Sequence, residues 1–337
     1  MNDFQRSFFA RLKKKDIPRS EMVTTIGELL HVGRDAVYRR MRGDTVLSAD
    51  ELMILAAHYN VELLPDQKKE AGLPPIMTYP SGLRGVGNSL EYFQLLRMLT
   101  HQMVYLPNIS IDYATPELPI YYELSLPVLR SFKVFMYTFT TWTSDSLRDT
   151  AFAPELIAPE IHELAEEMLT DAYRMRGREL WSIGILDVTL RQIEYVAQIG
   201  RFARKETIGL LFEEVHRVVD HLELMVRTGK RFPIGEQPTE DSPEFRVYHN
   251  ELTNTNSIIV VNSETENYVF STLVNPNYLL GSDPRIVEDV QRWFNNLLKS
   301  SNALSSEFPK YAGQYFRRLR MQVDKTWERI KFGSMNF

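Results

Sequence analysis

The stretch from Ser20 to Tyr59 allows few folds. Val23, Ile26, Gly27 and Leu30 recur at three- and four-residue spacing, the period of one helix face. Ser20 is placed to cap that helix, and Glu21 to sit in its first turn near the positive end of the helix dipole. His31-Val32-Gly33 breaks the period. A second helix, about Arg34–Arg42, has a narrow apolar stripe of Val37 and Met41. The rest of its surface is filled by Arg34, Tyr38, Arg39, Arg40 and Arg42, and Gly43 stops it. Ser48-Ala49-Asp50-Glu51 then has the form of a capping box, a serine taking the third amide while the glutamate reaches back. It opens a third helix whose buried face is Leu52, Leu55, Ala56 and Tyr59.

These residues resemble the helix-turn-helix of Xre-type (Cro/repressor-like) transcriptional regulators. The resemblance is carried by Ile26-Gly27, Leu30-His31-Val32-Gly33, Val37, Arg39, Gly43 and Ala56-Ala57-His58-Tyr59-Asn60-Val61. In that pattern Gly27 fills the small position where the first two helices cross, and Val32 and Val37 hold the recognition helix. The chain departs from it twice. The usual turn glycine is His31, a residue enriched among the non-glycines that adopt left-handed backbone. The usual second apolar position of the recognition helix is Arg40, so Met41 must supply the packing. The likeness covers less than a fifth of the 337 residues.

The resemblance implies a recognition helix in the DNA major groove, its first residues at base edges. The outward positions are then Gly33, Arg34, Asp35, Tyr38 and Arg39. Base contacts are expected from Arg34, Asp35, Tyr38 and Arg39. An arginine bidentate to guanine contributes about 1–3 kcal/mol of discrimination. Asp35 can accept from cytosine or orient Arg39, four residues on. Phosphate contacts are expected from Lys13, Lys14, Lys15, Gly33, Arg40 and Arg42.

Charge agrees locally rather than globally. The chain carries a net −5, which is unusual for a nucleic-acid binder. Residues 1–46, however, hold ten Lys/Arg against six Asp/Glu, a net of +4, which leaves −9 on the rest. A small basic head on an acidic body fits local DNA contact.

Length predicts about two domains, and 44% hydrophobic and 25% charged residues are ordinary for a globular protein with a full core. Without cysteine there is no disulfide, thiolate catalyst or cysteine zinc site. No apolar run approaches the length of a membrane span, so no membrane association is expected. In MNDFQRSFFARLKKKD the basic cluster follows the apolar residues, the reverse of a signal peptide. A cytoplasmic location is the expectation.

Residues 4–15 read as a first helix through Phe4, Phe8 and Leu12. The head therefore spans 1–64, a Pro/Gly-rich linker 65–88 and a second domain 89–337. In that domain, helices are expected over 89–105, the aromatic segment LRSFKVFMYTFTTW (129–142), 154–176, 185–202, 207–229, 284–300 and 310–331. A short strand is expected at 103–111. The period changes to two at 244–252, 257–263 and 267–274, three strands that read as an antiparallel meander. The predicted fold class is mainly α: a helix-turn-helix bundle, then an α+β domain with several long helices and a small three-stranded sheet. YRRMRG (38–43), TLRQIEY (189–195) and VYHNEL (247–252) are similar to segments of one-component bacterial regulators that join an Xre-like head to a large C-terminal domain.

Other chemistry has weaker support. Glu213, Glu214, His216, Asp220 and His221 invite a metal reading, but no HExxH occurs, and one helix offers at most two or three ligands. Glu194 and Gln192 suit a pocket wall or a satisfied core pair. Phe132, Phe135, Tyr137, Phe139 and Trp142 cover both faces of a helix and so call for burial or an interface. The basic positions of 310–331 suit a solvated face opposite a buried stripe. There is no Walker loop, GxSxG or GxGxxG, and no metal, cofactor or enzymatic activity is expected. The expected function is a homodimeric, sequence-specific DNA-binding transcriptional regulator. Its C-terminal domain would dimerise and receive a small-molecule or protein effector. The alternative is an interaction scaffold whose helix-turn-helix docks a partner protein.

Overall fold

The computed structural model describes residues 3–13, 17–59, 61, 77–80, 85–142, 149–251 and 256–333. The chain forms two compact units, Met1–Pro75 and Ile76–Phe337.

Among the described residues the first unit holds four helices, α1 (Asp3–Lys13), α2 (Arg19–Leu29), α3 (Arg34–Arg42) and α4 (Ala49–His58). Each presents one apolar stripe to a common core. Phe8, Phe9 and Leu12 of α1 meet Met22, Val23 and Ile26 of α2, Val37 of α3 and Leu55 of α4. The expected cap of α2 is displaced. Pro18 occupies the N-cap, and Ser20 lies inside the first turn, where its carbonyl accepts from Thr24 Oγ1 at 3.0 Å. Proline preorganises this entry through its fixed φ of −55°.

The second unit overturns the expected fold class. With 56% of residues helical and 15% in strands, the protein is α/β, built on a seven-stranded mixed sheet rather than mainly α with three strands. The strands are β1 (Ser110–Thr115), β2 (Arg176–Trp181), β3 (Phe245–His249), β4 (Ile258–Asn262), β5 (Tyr268–Val274), β6 (Asn277–Gly281) and β7 (Asn302–Leu304). Their order in the sheet is β6-β5-β4-β1-β2-β3-β7. β1, β2 and β3 run parallel, joined by helical crossovers, whereas β4, β5 and β6 run antiparallel beyond β1. The expected meander therefore splits: β4 and β5 pair, but β3 lies beyond β1 and β2. The strand expected at 103–111 begins later, because helix α5 (Ser89–Val104) consumes its first residues and Asn108 turns the chain with φ 54°.

The other helices are α6 (Ile120–Glu123), α7 (Pro127–Thr140), α8 (Pro159–Ala172), α9 (Asp187–Gln198), α10 (Glu206–Thr228), α11 (Pro284–Lys299) and α12 (Pro309–Gly333). One sheet face, with Ile111, Tyr113, Trp181 and Val247, packs into the main core alongside Phe132, Val215 and Phe316. The other face is covered by α11, whose Phe294 meets Ala114 and Leu180 and whose Val287 meets Val260 and Val269. Among the described residues no helix is long and apolar enough to cross a membrane.

Part of the stretch expected as linker belongs to this unit. Thr78 pairs with Leu280 through two backbone hydrogen bonds of 2.9 and 2.7 Å, and the Val86 amide donates to Asn277 Oδ1 at 3.1 Å.

Candidate nucleic-acid interface

Helix α3 is held by contacts that leave one side of it open. At the α2–α3 crossing, a Cβ on Gly27 would lie 3.0 Å from the Val32 carbonyl and 3.8 Å from Val37, so the helices approach at glycine. The Gly27 carbonyl in turn accepts from the Val32 amide at 2.9 Å. His31 takes the left-handed conformation, φ 53°, at the position where the resemblance expects glycine. Gly33 is extended (φ −70°, ψ 159°) and caps α3 without a side chain, so the first amides of α3 carry no side-chain cap. At the other end Gly43 is left-handed, φ 84°, and the Gly43 and Asp44 amides return to the Arg40 and Arg39 carbonyls.

Gln5 was not singled out by the sequence, yet it ties three elements together. It is buried, and its Nε2 donates to the Arg40 and Thr45 carbonyls at 2.8 and 2.9 Å while its Oε1 accepts from the Leu47 amide at 2.9 Å. A lone glutamine on an apolar helix face gives no sign of partners 35 to 42 residues away.

The arginines of α3 divide into two sets. Arg34, Asp35 and Arg39 are exposed. Arg34 Nη2 donates to Thr24 Oγ1 at 3.0 Å, so one guanidinium nitrogen of this exposed side chain is engaged by α2. The Arg39 side chain makes no hydrogen bond or ion pair with any described residue. Tyr38 is half-buried, with the Arg19 guanidinium 5.9 Å from its ring centre. Arg42 is exposed and pairs with Asp44 at 2.8 Å, an association that water leaves weak.

Arg40 does something different from the phosphate contact expected of it. Its side chain is 14% exposed and turned toward α4, with Nη2 2.7 Å and Nε 3.3 Å from the Glu51 carboxylate. Glu51 also closes the capping box. It accepts from the Ser48 amide at 3.0 Å, and its own amide donates to Ser48 Oγ at 3.1 Å. The Arg40 hydrogen bond, above all, holds the Glu51 carboxyl below its ordinary value of 4.5. An arginine thus occupies a family-pattern apolar position because a carboxylate on the next helix receives it. Lys13 lies at the end of α1, and Lys14 and Lys15 fall outside the described residues.

The remaining candidates of the second unit are occupied by structural partners. Among the described residues no group of three or more His, Asp or Glu could hold a metal. His216 bonds Asp324 at 3.0 Å, and Asp220 accepts from Arg320. His221 is buried against the Phe232 carbonyl at 2.9 Å, and burial pushes its pKa down to about 4. Glu214 accepts the Leu129 and Val128 amides at 2.7 and 3.3 Å, a carboxylate at the start of α7. Glu194 binds Arg329 through both oxygens, and Gln192 accepts from the buried Lys133 at 2.8 Å. Phe132, Phe135, Tyr137 and Trp142 are buried core residues. No protein-family model, curated protein or solved structure matches this chain.

Proposed function

We propose that the chain is a sequence-specific DNA-binding transcriptional regulator that acts as a homodimer and reads the major groove with α3. The supporting observation is the sorting of the α3 arginines. Arg40 is locked to Glu51 and fixes the helix, while Arg34 and Arg39 stand exposed on its free side beside uncapped first amides. A solvated helix face would not need a half-buried strut behind it, whereas a reading head gains from rigidity, since misplaced donors lose bidentate geometry. Arg34, Asp35, Tyr38 and Arg39 are the base-reading set. Gly33, Arg42 and the Lys13–Lys15 run face phosphates.

The test is a selection of genomic fragments bound by the full chain, beside the Arg34→Ala/Arg39→Ala variant. The expected result is a pseudo-palindromic site, enriched by the wild type, lost in the variant and weakened steeply by salt. Absence of enrichment at low salt, with a folded head, would overturn the reading and leave partner-protein docking in its place.

A further inference from the structure

A cleft opens in the second unit between α5 and the β4–β6 end of the sheet, with an enclosed volume of about 60 Å³ beneath a mouth open to solvent. Its walls are apolar. Leu95, Leu96, Leu99 and Met103 recur along one side of α5, and Ile259 and Phe270 face them from the sheet. The four α5 side chains are only half-buried, although they point toward the protein rather than away from it. Among the described residues no Lys, Arg, Asp, Glu or His lines the cleft. An ionised ligand would lose its hydration there without a counter-charge.

The polar groups that remain are phenols, the Thr100 hydroxyl and the Asn277 amide. Tyr92, Tyr121 and Tyr278 all contribute to the lining. Tyr278 shares a 3.2 Å hydrogen bond with Tyr113, but the Tyr92 hydroxyl is buried with no partner among the described residues. Buried unpartnered hydroxyls are rare enough to require a reason. Burial raises all three phenols, Tyr121 to about 12, so each keeps its proton as a donor near neutral pH. The rim is formed by Tyr79 and Pro80, which follow the Thr78–Leu280 pairing, and by Pro276 and Asn277.

We propose that this cleft binds a neutral, mainly apolar and aromatic small molecule carrying one hydrogen-bond acceptor toward the tyrosines. The ligand would pack against Leu99, Met103 and Phe270 and offer its acceptor to the phenols. Such a molecule supplies the regulator's input. That role rests on the DNA-binding reading, whereas the binding itself does not, and it is tested without DNA.

The probe is N-phenyl-1-naphthylamine, a neutral dye whose fluorescence rises in apolar surroundings, titrated against the full chain. Saturable binding at one site per chain is expected. Its sulfonated relative, 8-anilinonaphthalene-1-sulfonate, should bind at least tenfold more weakly. Leu99→Trp, which fills the cleft, should weaken the neutral dye at least tenfold. Met98→Trp, on the exposed side of the same helix, should leave it unchanged. If Leu99→Trp does not fold by circular dichroism, Met103→Trp plugs the same space from a half-buried position. No saturable binding to folded wild type, or equal binding to the plugged variant, overturns the site. Equal binding of the anionic dye overturns the neutrality of its ligand.

Discussion

Arg40 and Arg39 are neighbours in sequence with opposite tasks, and their substitutions should separate cleanly. Arg39→Ala or Arg34→Ala removes an exposed guanidinium. Each should cost about 1–3 kcal/mol of discrimination at one base position and leave stability of the fold unchanged. Arg42→Ala should weaken all sequences alike and lower the salt slope by about 1, because it removes one phosphate contact. Binding isotherms on the selected site and its single-base variants distinguish these outcomes. If Arg39→Ala weakened every sequence equally, its base-reading role would fail. Arg40→Met should instead act on the fold, loosening α3 and α4 by about 1 kcal/mol as a partly shielded ion pair is lost. The pH dependence has a definite sign. Glu51 has a depressed folded pKa, so its contribution is present above its ordinary value of 4.5 and fades as pH falls through the lower folded value. The protection of α4 amides, taken relative to their intrinsic exchange rate at each pH, should therefore fall below pH 4.5 in the wild type, and the variant should lose most of that acid dependence. All four tryptophans lie beyond residue 141, so their fluorescence does not report on this helix pair. Both halves of the strut were visible in the sequence, one as a departure from an apolar position and the other as a capping box. Their pairing was not, since it depends on how two helices cross.

At the scale of elements, helices were legible and most strands were not, and β2 shows why. Helix signals are local: the Gly43 stop, the capping box at Ser48 and the apolar stripe of α10 all lie within the element they define. β2, RGRELW, alternates correctly but without an apolar code. Arg178 faces outward to pair with Asp112 at 2.7 Å on both oxygens, while Glu179 faces into the core. Glu179 is buried because Arg231, Tyr122 and Trp181 all donate to it, and Arg231 lies 52 residues away. Burial alone pushes this carboxyl up, and its three donors oppose that push. Arg231, which keeps its charge at any working pH, favours the carboxylate form of its partner. Removing one member of such a pair strands a buried charge. Arg231→Met should therefore cost about 3–5 kcal/mol, and Glu179→Leu added to it should recover part of the loss. Urea unfolding followed by the fluorescence of the four tryptophans, all in the second unit, reports this, and a loss under about 1 kcal/mol would show that the pair is not what sets β2 in place. Gly177 sits at the same place. A Cβ there would stand 2.8 Å from the Ile111 carbonyl on β1 and 3.3 Å from Arg231 Nη2, so Gly177→Ala should force β1 and β2 apart, crowd the Arg231 guanidinium and lower stability.

For the whole molecule the question is why a head of four short helices carries a body more than three times its length. The head has its own core, from Phe8 and Leu12 to Leu55 and Tyr59, and it should fold as the isolated segment 1–75. Its basic excess is confined to residues 1–46, and the acidic remainder adds no general attraction to DNA. If the proposed function holds, a single head of this size would bury little surface and present few phosphate contacts, and so would bind DNA weakly on its own. If the body holds two heads together, the second binding event becomes intramolecular. Taking a half-site dissociation constant on the order of 10 μM and an effective concentration on the order of 1 mM, the gain is about a hundredfold. The full chain should therefore bind the selected palindrome about a hundredfold more tightly than 1–75 does. On a single half-site the two should be equal. Inserting about half a helical turn between half-sites turns them to opposite faces of the duplex, and that insertion should abolish the gain for the full chain while leaving the isolated head indifferent. Equal affinities for the palindrome would mean that the body does not pair the heads. A gain that survived the insertion would mean that pairing occurs but does not measure spacing, so that the body concentrates the heads without aligning them.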